Sequence, residues 1–126
     1  MYQIEKIGGD SFYIKAIGTF PLPVAERFVI EFEDLTKEIH ENLNLIIDIT
    51  EAILLRIESI EIILDLLKRN NEKLNKSAFI ISKNPPLGVE FKYLLKHAES
   101  SKRKIVFNLE DAKEWIGIGN IIFKKD

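Results

Sequence analysis

The sequence has 126 residues and an apolar share of 46%, which fits one folded domain over residues 1–126 and argues against disorder. Its formal net charge of −2 and its scattered basic residues give no reason to expect nucleic-acid binding. It has no cysteine, which excludes disulfides and thiolate metal sites. No apolar run approaches the roughly 18 residues of a membrane span, so we expect a cytoplasmic domain with no membrane span and no signal peptide.

The N-terminal segment predicts a β-hairpin. Apolar and polar residues alternate over 2–17, and Gly8-Gly9-Asp10 in the middle is typical of a tight turn. Pro23 suits the start of a helix, which the sequence predicts over 24–42. The apolar residues of this helix recur every three or four positions and are Phe28, Phe32, Leu35 and Ile39.

The most apolar part of the chain is residues 43–50, where Asp48 is the only charge. A short run of this kind predicts a strand that is buried on both faces. It is followed by an amphipathic helix over 57–68. Because open α/β sheets bind ligands and partners where such strands end, the link over 51–57 is the first place to expect function.

The rest of the chain repeats this alternation. The sequence predicts a strand over 77–82, a turn at Asn84-Pro85, a helix over 87–99 and a strand over 104–107. Asn108 is a good N-cap for a last short helix. The apolar residues 121–123 beyond it are expected to be buried, either at a sheet edge or across a homodimer.

These elements predict an α/β fold with the order ββαβαβαβα and four helices. The N-terminal hairpin and three parallel strands would form one mixed sheet. We expect Ile46, Ile80 and Val106 on adjacent parallel strands, with Leu64 and Leu67 of the second helix packed against them.

The sequence contains no assembled catalytic site. His40 and His97 stand alone near predicted helix ends, where histidines usually complement the helix dipole. The chain has no G-x-S-x-G nucleophile elbow and no phosphate-binding glycine loop. Asp48 needs a partner because a buried carboxylate is costly, and we expect it to cap the segment that follows. We expect no enzyme activity and no cofactor.

The chain resembles STAS domains, the fold of anti-sigma factor antagonists, over nearly its whole length. Four segments carry the resemblance in the order and spacing of that family, and they include the apolar strand that ends in Asp48. They are Gly18-Thr19-Phe20 with Ala25-Glu26, 45–49, 60–68 and 110–116. The resemblance implies a STAS-like mixed sheet and a role in protein–protein signalling.

The phosphorylation motif of that family is absent. Members that act as switches carry Asp-Ser-Ser-Gly at the start of the second helix. Without gaps, these positions fall on Arg56, Ile57, Glu58 and Ser59, so Glu58 replaces the phosphoacceptor serine. A gap of one residue would instead place Ser59 near the acceptor position. We therefore expect a STAS-like domain without the switch.

Two kinds of function are compatible with these observations. The first is a non-catalytic regulatory module that binds a protein partner through the link and the second helix. Its candidate partner-binding residues are Thr50, Arg56, Glu58, Ser59 and Glu61. The alternative is a small-ligand or lipid-binding domain with an apolar pocket between the helices and the sheet. The aromatic residues Phe28, Phe32, Tyr93 and Trp115 are too few, and too well spaced as core residues, to favour this alternative, but they do not exclude it.

Overall fold

The computed structural model describes residues 2–53, 57–81 and 101–117, together with residues 89, 92, 93 and 95–97. The elements follow the predicted order. The strands are β1 (Tyr2–Gly8), β2 (Ser11–Gly18), β3 (Leu43–Ala52), β4 (Leu74–Ile80) and β5 (Arg103–Val106). The helices are α1 (Leu22–Thr36), α2 (Ile57–Arg69), α3 at the described positions between 89 and 97, and α4 (Leu109–Ile116).

The strands form one five-stranded sheet in the order β1-β2-β3-β4-β5. β1 pairs antiparallel with β2, and β2, β3, β4 and β5 pair parallel in succession. The hairpin turns at Gly8 and Gly9, which both have positive φ angles, a conformation that glycine adopts without steric cost. The predicted mixed α/β sheet and its element order are confirmed.

Helix α1 is shorter than the sequence predicts. It ends at Thr36 rather than at position 42, and the Thr36 carbonyl accepts a hydrogen bond of 3.1 Å from Lys73 Nζ. Phe28 and Phe32 are buried as expected, but Leu35 is 50% exposed, so its place in the buried stripe was wrong. The buried stripe continues from Phe32 to Thr36, at a spacing of four, and Leu35 lies at the edge of that stripe.

The two faces of the sheet have separate cores. On one face, α1 and α2 cover side chains such as Leu45 and Phe79. On the other face, α4 covers Ile46, Ile80 and Val106. These three residues do lie on adjacent parallel strands, but Leu64 and Leu67 of α2 belong to the first core.

The expectation that α2 packs against Ile46, Ile80 and Val106 was therefore wrong. Successive side chains of a strand point to opposite faces, and β3 is apolar on both of them. An apolar strand of this kind gives no sequence signal for which parity faces which helix.

Helix α4 has the ends that its sequence predicts. The Asn108 side chain accepts a hydrogen bond of 2.8 Å from the backbone N–H of Asp111, as an N-cap does. Gly117 ends the helix in the left-handed conformation. Trp115 is half-buried, and its indole Nε1 donates a hydrogen bond of 3.0 Å to the Ser77 carbonyl. The predicted tail at 121–123 lies outside the described residues.

Candidate functional site

The predicted site lies where β3 ends and α2 begins. β3 is central in the sheet and continues to Ala52, so the link between the two elements is shorter than the sequence predicts. α2 begins at Ile57. Of the predicted site residues, Arg56 lies outside the described residues, and Thr50, Glu58, Ser59 and Glu61 are described.

Thr50 is held by Asp48, two residues before it. Its hydroxyl donates a hydrogen bond of 2.7 Å to Asp48 Oδ1, and its backbone N–H donates one of 3.0 Å to the same oxygen. The Tyr13 hydroxyl donates a hydrogen bond of 2.5 Å to Asp48 Oδ2. Asp48 has the partners that a buried carboxylate needs, but they lie in β2 and β3, so the expectation that it caps the segment after the strand was wrong.

These hydrogen bonds determine the charge state of Asp48. Burial by itself would raise the pKa of this carboxyl, but the hydrogen bonds from Tyr13 and Thr50 and the positive charge of Lys15 outweigh burial. The pKa of Asp48 therefore lies below its ordinary value, and the group is a carboxylate at neutral pH. For Tyr13, burial and the adjacent carboxylate raise the pKa, so its hydroxyl remains a donor.

Ser59 is fully buried at the start of α2. Its hydroxyl donates a hydrogen bond of 2.7 Å to the Phe20 carbonyl, which precedes α1. A partner cannot touch this side chain in the present conformation. Ser59 instead fixes the first turn of α2 to the segment before α1, and so positions its exposed neighbours.

Glu58 and Glu61 are exposed on the first turns of α2. Within the described part of the chain, no salt bridge engages either carboxylate. Glu58 lies in the first helical turn, where the dipole of the helix favours a negative charge. Glu51, at the end of β3, is instead paired with Lys15 at 2.6 Å.

Two large aliphatic side chains flank this link. Ile53, after the end of β3, is 53% exposed, and Ile57, at the start of α2, is 72% exposed. The sequence did not single out either residue, because isoleucines next to an apolar strand and helix are ordinarily core residues. Their exposure follows from tertiary packing, because the Ser59 hydrogen bond and the end of β3 position this part of the chain.

An apolar cavity lies on the other side of α2, between this helix, α1 and the sheet. Its volume is about 70 Å³. Its described lining is almost wholly apolar and comprises Tyr2, Ile14, Ala16, Phe20, Phe28, Phe32, Leu45, Ile47, Ile49, Ala52, Ile63, Leu66, Leu67, Asn70, Phe79 and Arg103.

Two of the four aromatic residues considered for a pocket line this cavity. Phe28 and Phe32 line it, as the ligand-binding alternative requires. Tyr93 is half-exposed on α3, where its ring lies 4.2 Å from the ring of His97. Trp115 packs in the core on the opposite face of the sheet. The pocket is thus formed by α1, α2 and the sheet rather than by all four aromatic residues.

No group of three or more His, Asp and Glu side chains among the described residues is placed to hold a metal ion. None of the helices in that part of the chain has the length and apolarity needed to cross a membrane.

Comparisons with known proteins place this geometry in a fold. No protein-family model matches the sequence, and no curated protein matches it. Among solved structures, the chain is similar to an uncharacterized DUF3478-family protein with a SpoIIAA-like fold from Shewanella loihica PV-4. The TM-score is 0.71 and the sequence identity is 20%, over 92% of each chain.

The chain is also similar to the anti-sigma factor antagonist SpoIIAA in its unphosphorylated form. Here the TM-score is 0.58 and the sequence identity is 10%, over 88% of this chain and 92% of that one. Both similarities agree with the mixed five-stranded sheet and with the element order. The chain therefore has the STAS-like, SpoIIAA-like fold that its sequence resembles.

Proposed function

We propose that this protein is a non-catalytic regulatory module of the cytoplasm that binds a protein partner where β3 ends and α2 begins. The observation that carries the proposal is the exposure of Ile53 and Ile57 on both sides of that link. Exposed aliphatic side chains next to charged ones are typical of the centre and rim of a protein interface. Glu58 and Glu61 provide the adjacent charged rim.

The described residues on both sides of the link are tied to the rest of the domain by hydrogen bonds that a partner need not supply. Asp48 orders Thr50, and Ser59 ties the first turn of α2 to Phe20. Because little conformational freedom is lost when such a surface binds, its affinity is greater than that of a mobile loop with the same residues. Arg56, which stands between Ile53 and Ile57 in the sequence, stays a predicted partner-binding residue.

Binding through this surface is expected to be constitutive. Glu58 stands at the position that the serine acceptor of the STAS motif would take, and it supplies a permanent negative charge there. Phosphorylation of a serine adds a charge of about −1.5 to −2, and this charge is lost again when a phosphatase removes the phosphate. A glutamate cannot be toggled in this way, so we infer a partner that reads a fixed surface.

The test compares three tagged proteins in the native cell by quantitative crosslinking and mass spectrometry. The variant Ile57→Ser should lose a crosslinked partner that the wild type captures. Ile30→Ser is the matched control, because Ile30 is 69% exposed but lies on the outer face of α1. If Ile57→Ser and Ile30→Ser retain the same partners as the wild type, the proposed surface is not the interface.

The second candidate function is the binding of a small apolar ligand, and the cavity beneath α1 and α2 favours it. Native mass spectrometry of protein purified from its own host would reveal a retained ligand. Ala16→Leu is the control, since Ala16 lines the cavity and a larger side chain there would fill it. A mass increment that is present in the wild type and absent from this variant supports the second function. If the variant carries the same increment, the ligand lies elsewhere.

A further inference from the structure

A second cleft lies at the β5 edge of the sheet, next to α4. It shares none of the described lining residues of the apolar cavity. Its volume is about 400 Å³, within the range of about 300–1,000 Å³ that is typical of small-molecule sites. Six of its described lining residues are charged or aromatic, and they are Lys76, Lys104, Phe107, Asp111, Glu114 and Trp115.

The Trp115 ring holds two cations in this cleft. Lys76 Nζ lies 4.5 Å from the ring centroid and Lys104 Nζ lies 5.2 Å from it, within the distance at which a cation is attracted to an aromatic face. Because both contact one ring, the two ammonium groups are less than about 10 Å apart, which is the Debye length in 0.1 M salt, and they repel each other. No salt bridge in the described part of the chain includes either lysine. The strand side of the cleft therefore attracts an anion.

The helix side of the same cleft carries the opposite charge. Asp111 and Glu114 both belong to α4, and both are exposed. Among the described residues, neither carboxylate has a cationic nitrogen within 4.0 Å, so neither neutralises Lys76 or Lys104 by direct pairing. The cleft thus has cations on its strand side and carboxylates on its helix side, and charges of both signs remain available to a ligand.

Phe107 adds an accessible aromatic surface to the cleft. It follows β5 directly and is 75% exposed, and its ring stacks on no other aromatic ring of the described residues. The Trp115 ring is instead held in place, since its Nε1 donates a hydrogen bond of 3.0 Å to the Ser77 carbonyl. Aromatic rings pack favourably in offset or edge-to-face pairs, so Phe107 can accept the ring of a ligand.

We propose that this cleft binds a free aromatic α-amino acid. The carboxylate of the ligand contacts the ammonium groups of Lys76 and Lys104, and its ring packs against Phe107. The α-ammonium group of the ligand contacts the carboxylates of Asp111 and Glu114. A zwitterion complements both sides of the cleft, whereas α4 repels a simple anion and the two lysines repel a simple cation. This site is separate from the partner-binding surface and from the apolar cavity.

The experiment uses the single tryptophan of the chain, Trp115, as the reporter. The full chain is titrated with L-phenylalanine, and both the Trp115 fluorescence and the NMR resonance of its indole N–H should change saturably. Three probes each lack one group of this ligand: 3-phenylpropanoate lacks the ammonium group, 2-phenylethylamine lacks the carboxylate, and L-leucine lacks the ring. The first two should bind at least about threefold more weakly, because ion pairs at a partly exposed site are lost. L-Leucine should bind about two- to tenfold more weakly, because the aromatic pair is lost.

Two variants test the two sides of the cleft by their selectivity. Lys104→Gln should weaken the binding of L-phenylalanine and 3-phenylpropanoate, but not that of 2-phenylethylamine. Glu114→Gln should weaken the binding of L-phenylalanine and 2-phenylethylamine, but not that of 3-phenylpropanoate. Both replaced side chains are exposed, so both variants should fold. Lys68→Gln is the control, since Lys68 is exposed on α2 and does not line the cleft, and it should change none of the affinities.

Each contrary result overturns a stated part of the proposal. If 3-phenylpropanoate or 2-phenylethylamine binds as tightly as L-phenylalanine, the ligand is not a zwitterion. If L-leucine binds as tightly, the ligand is not specifically aromatic. Equal weakening of all probes by Lys104→Gln or Glu114→Gln would show a general disturbance of the cleft and would overturn the assigned contacts. If L-phenylalanine changes neither the fluorescence nor the indole resonance, the whole proposal is overturned, and both proposed functions above are unaffected because they involve other residues.

Discussion

Asp48 shows how one carboxylate stabilises the end of the central strand. It accepts hydrogen bonds from a hydroxyl of β2 and from both the hydroxyl and the N–H of Thr50. These donors favour its charged form and hold its pKa below the ordinary value. Since a carboxyl group has a pKa of about 3.9 in the unfolded chain, the folded protein binds this proton less tightly than the unfolded one does.

Stability should therefore fall as the pH drops below about 4, because protonation removes the charge that accepts these hydrogen bonds. Asp48→Asn lacks this contribution, so the difference in unfolding free energy between wild type and variant should shrink from pH 6 towards pH 2. Urea titrations across that range measure this difference in unfolding free energy. Asp34→Asn is the control, because the Asp34 side chain is exposed. A difference that stays constant with pH would contradict the lowered pKa of Asp48.

Ser59 carries a second residue-scale prediction. Ser59→Ala should reduce the unfolding free energy by about 1–3 kcal/mol, since it leaves the buried Phe20 carbonyl without its donor. Ser101→Ala, at an exposed position, should change stability little. Denaturant titrations of the two variants give the comparison. Equal and negligible losses would show that the Ser59 hydrogen bond does not hold α2.

The same burial predicts that Ser59 is not a phosphorylation site. A kinase cannot reach a hydroxyl that is fully buried and hydrogen-bonded to Phe20, and the Thr50 hydroxyl is engaged by Asp48. Phosphopeptide mass spectrometry of protein from the native cell should find both residues unmodified. Stoichiometric phosphate on either one would mean that the link opens and that a switch exists.

At the scale of the element, α2 connects the two proposed sites. Its first turn presents Ile57, Glu58 and Glu61 outwards, and its later turns line the cavity with Leu66 and Leu67. Substitutions along α2 should therefore differ in whether they weaken partner binding or lower the free energy of unfolding. Those at the outward residues should affect binding, whereas those at the inward residues should affect stability.

Leu67→Ala should lower the unfolding free energy by about 2–5 kcal/mol, as truncation of a buried leucine does. Leu64→Ala should cost less, because Leu64 is only partly buried. Chemical denaturation of the two variants measures both values under the same conditions. A larger loss for Leu64→Ala than for Leu67→Ala would contradict this packing, because it would mean that Leu64 and not Leu67 is the more deeply buried side chain of α2.

The sequence predicts most elements because each has a local signal. The turn at Gly8-Gly9, the cap at Asn108 and the periodicity of α2 all correspond to observed features. The helix that ends at Thr36 lacks such a signal, because apolar residues continue beyond it at helical spacing. At this end the Thr36 carbonyl is hydrogen-bonded by Lys73, which is distant in sequence and therefore invisible to a local pattern.

The sequence indicates the end of β3 as a candidate site, which stays a prediction, but it does not indicate which side chains are exposed there. The end of an apolar strand before a helix points to the link, and Thr50, Glu58 and Glu61 lie there. Burial of Ser59 and exposure of Ile57 contradict the usual preference of serine for the surface and isoleucine for the core. Both depend on how α2 sits against Phe20, which only tertiary packing decides.

At the scale of the whole molecule, the two faces of the sheet differ in packing. The core under α1 and α2 contains the cavity, and the described lining includes no residue of the core under α4. Cavity volume costs about 24 cal/mol per Å³, so about 70 Å³ corresponds to roughly 1.7 kcal/mol of lost stability. That free space is what the second candidate function would use.

One substitution made on each face tests this difference. Ala16→Val adds two carbons beside the cavity and should raise the unfolding free energy, by at most roughly 1.7 kcal/mol, since it fills space that is now empty. Ala78→Val adds the same atoms to a fully buried site on the opposite face, where overpacking should cost about 1–3 kcal/mol. Both alanines lie within strands, so the backbone preference of valine acts equally on the two variants. Denaturant titrations should therefore give shifts of opposite sign, and destabilisation of equal size in both would show that the cavity cannot accept the two added methyl groups.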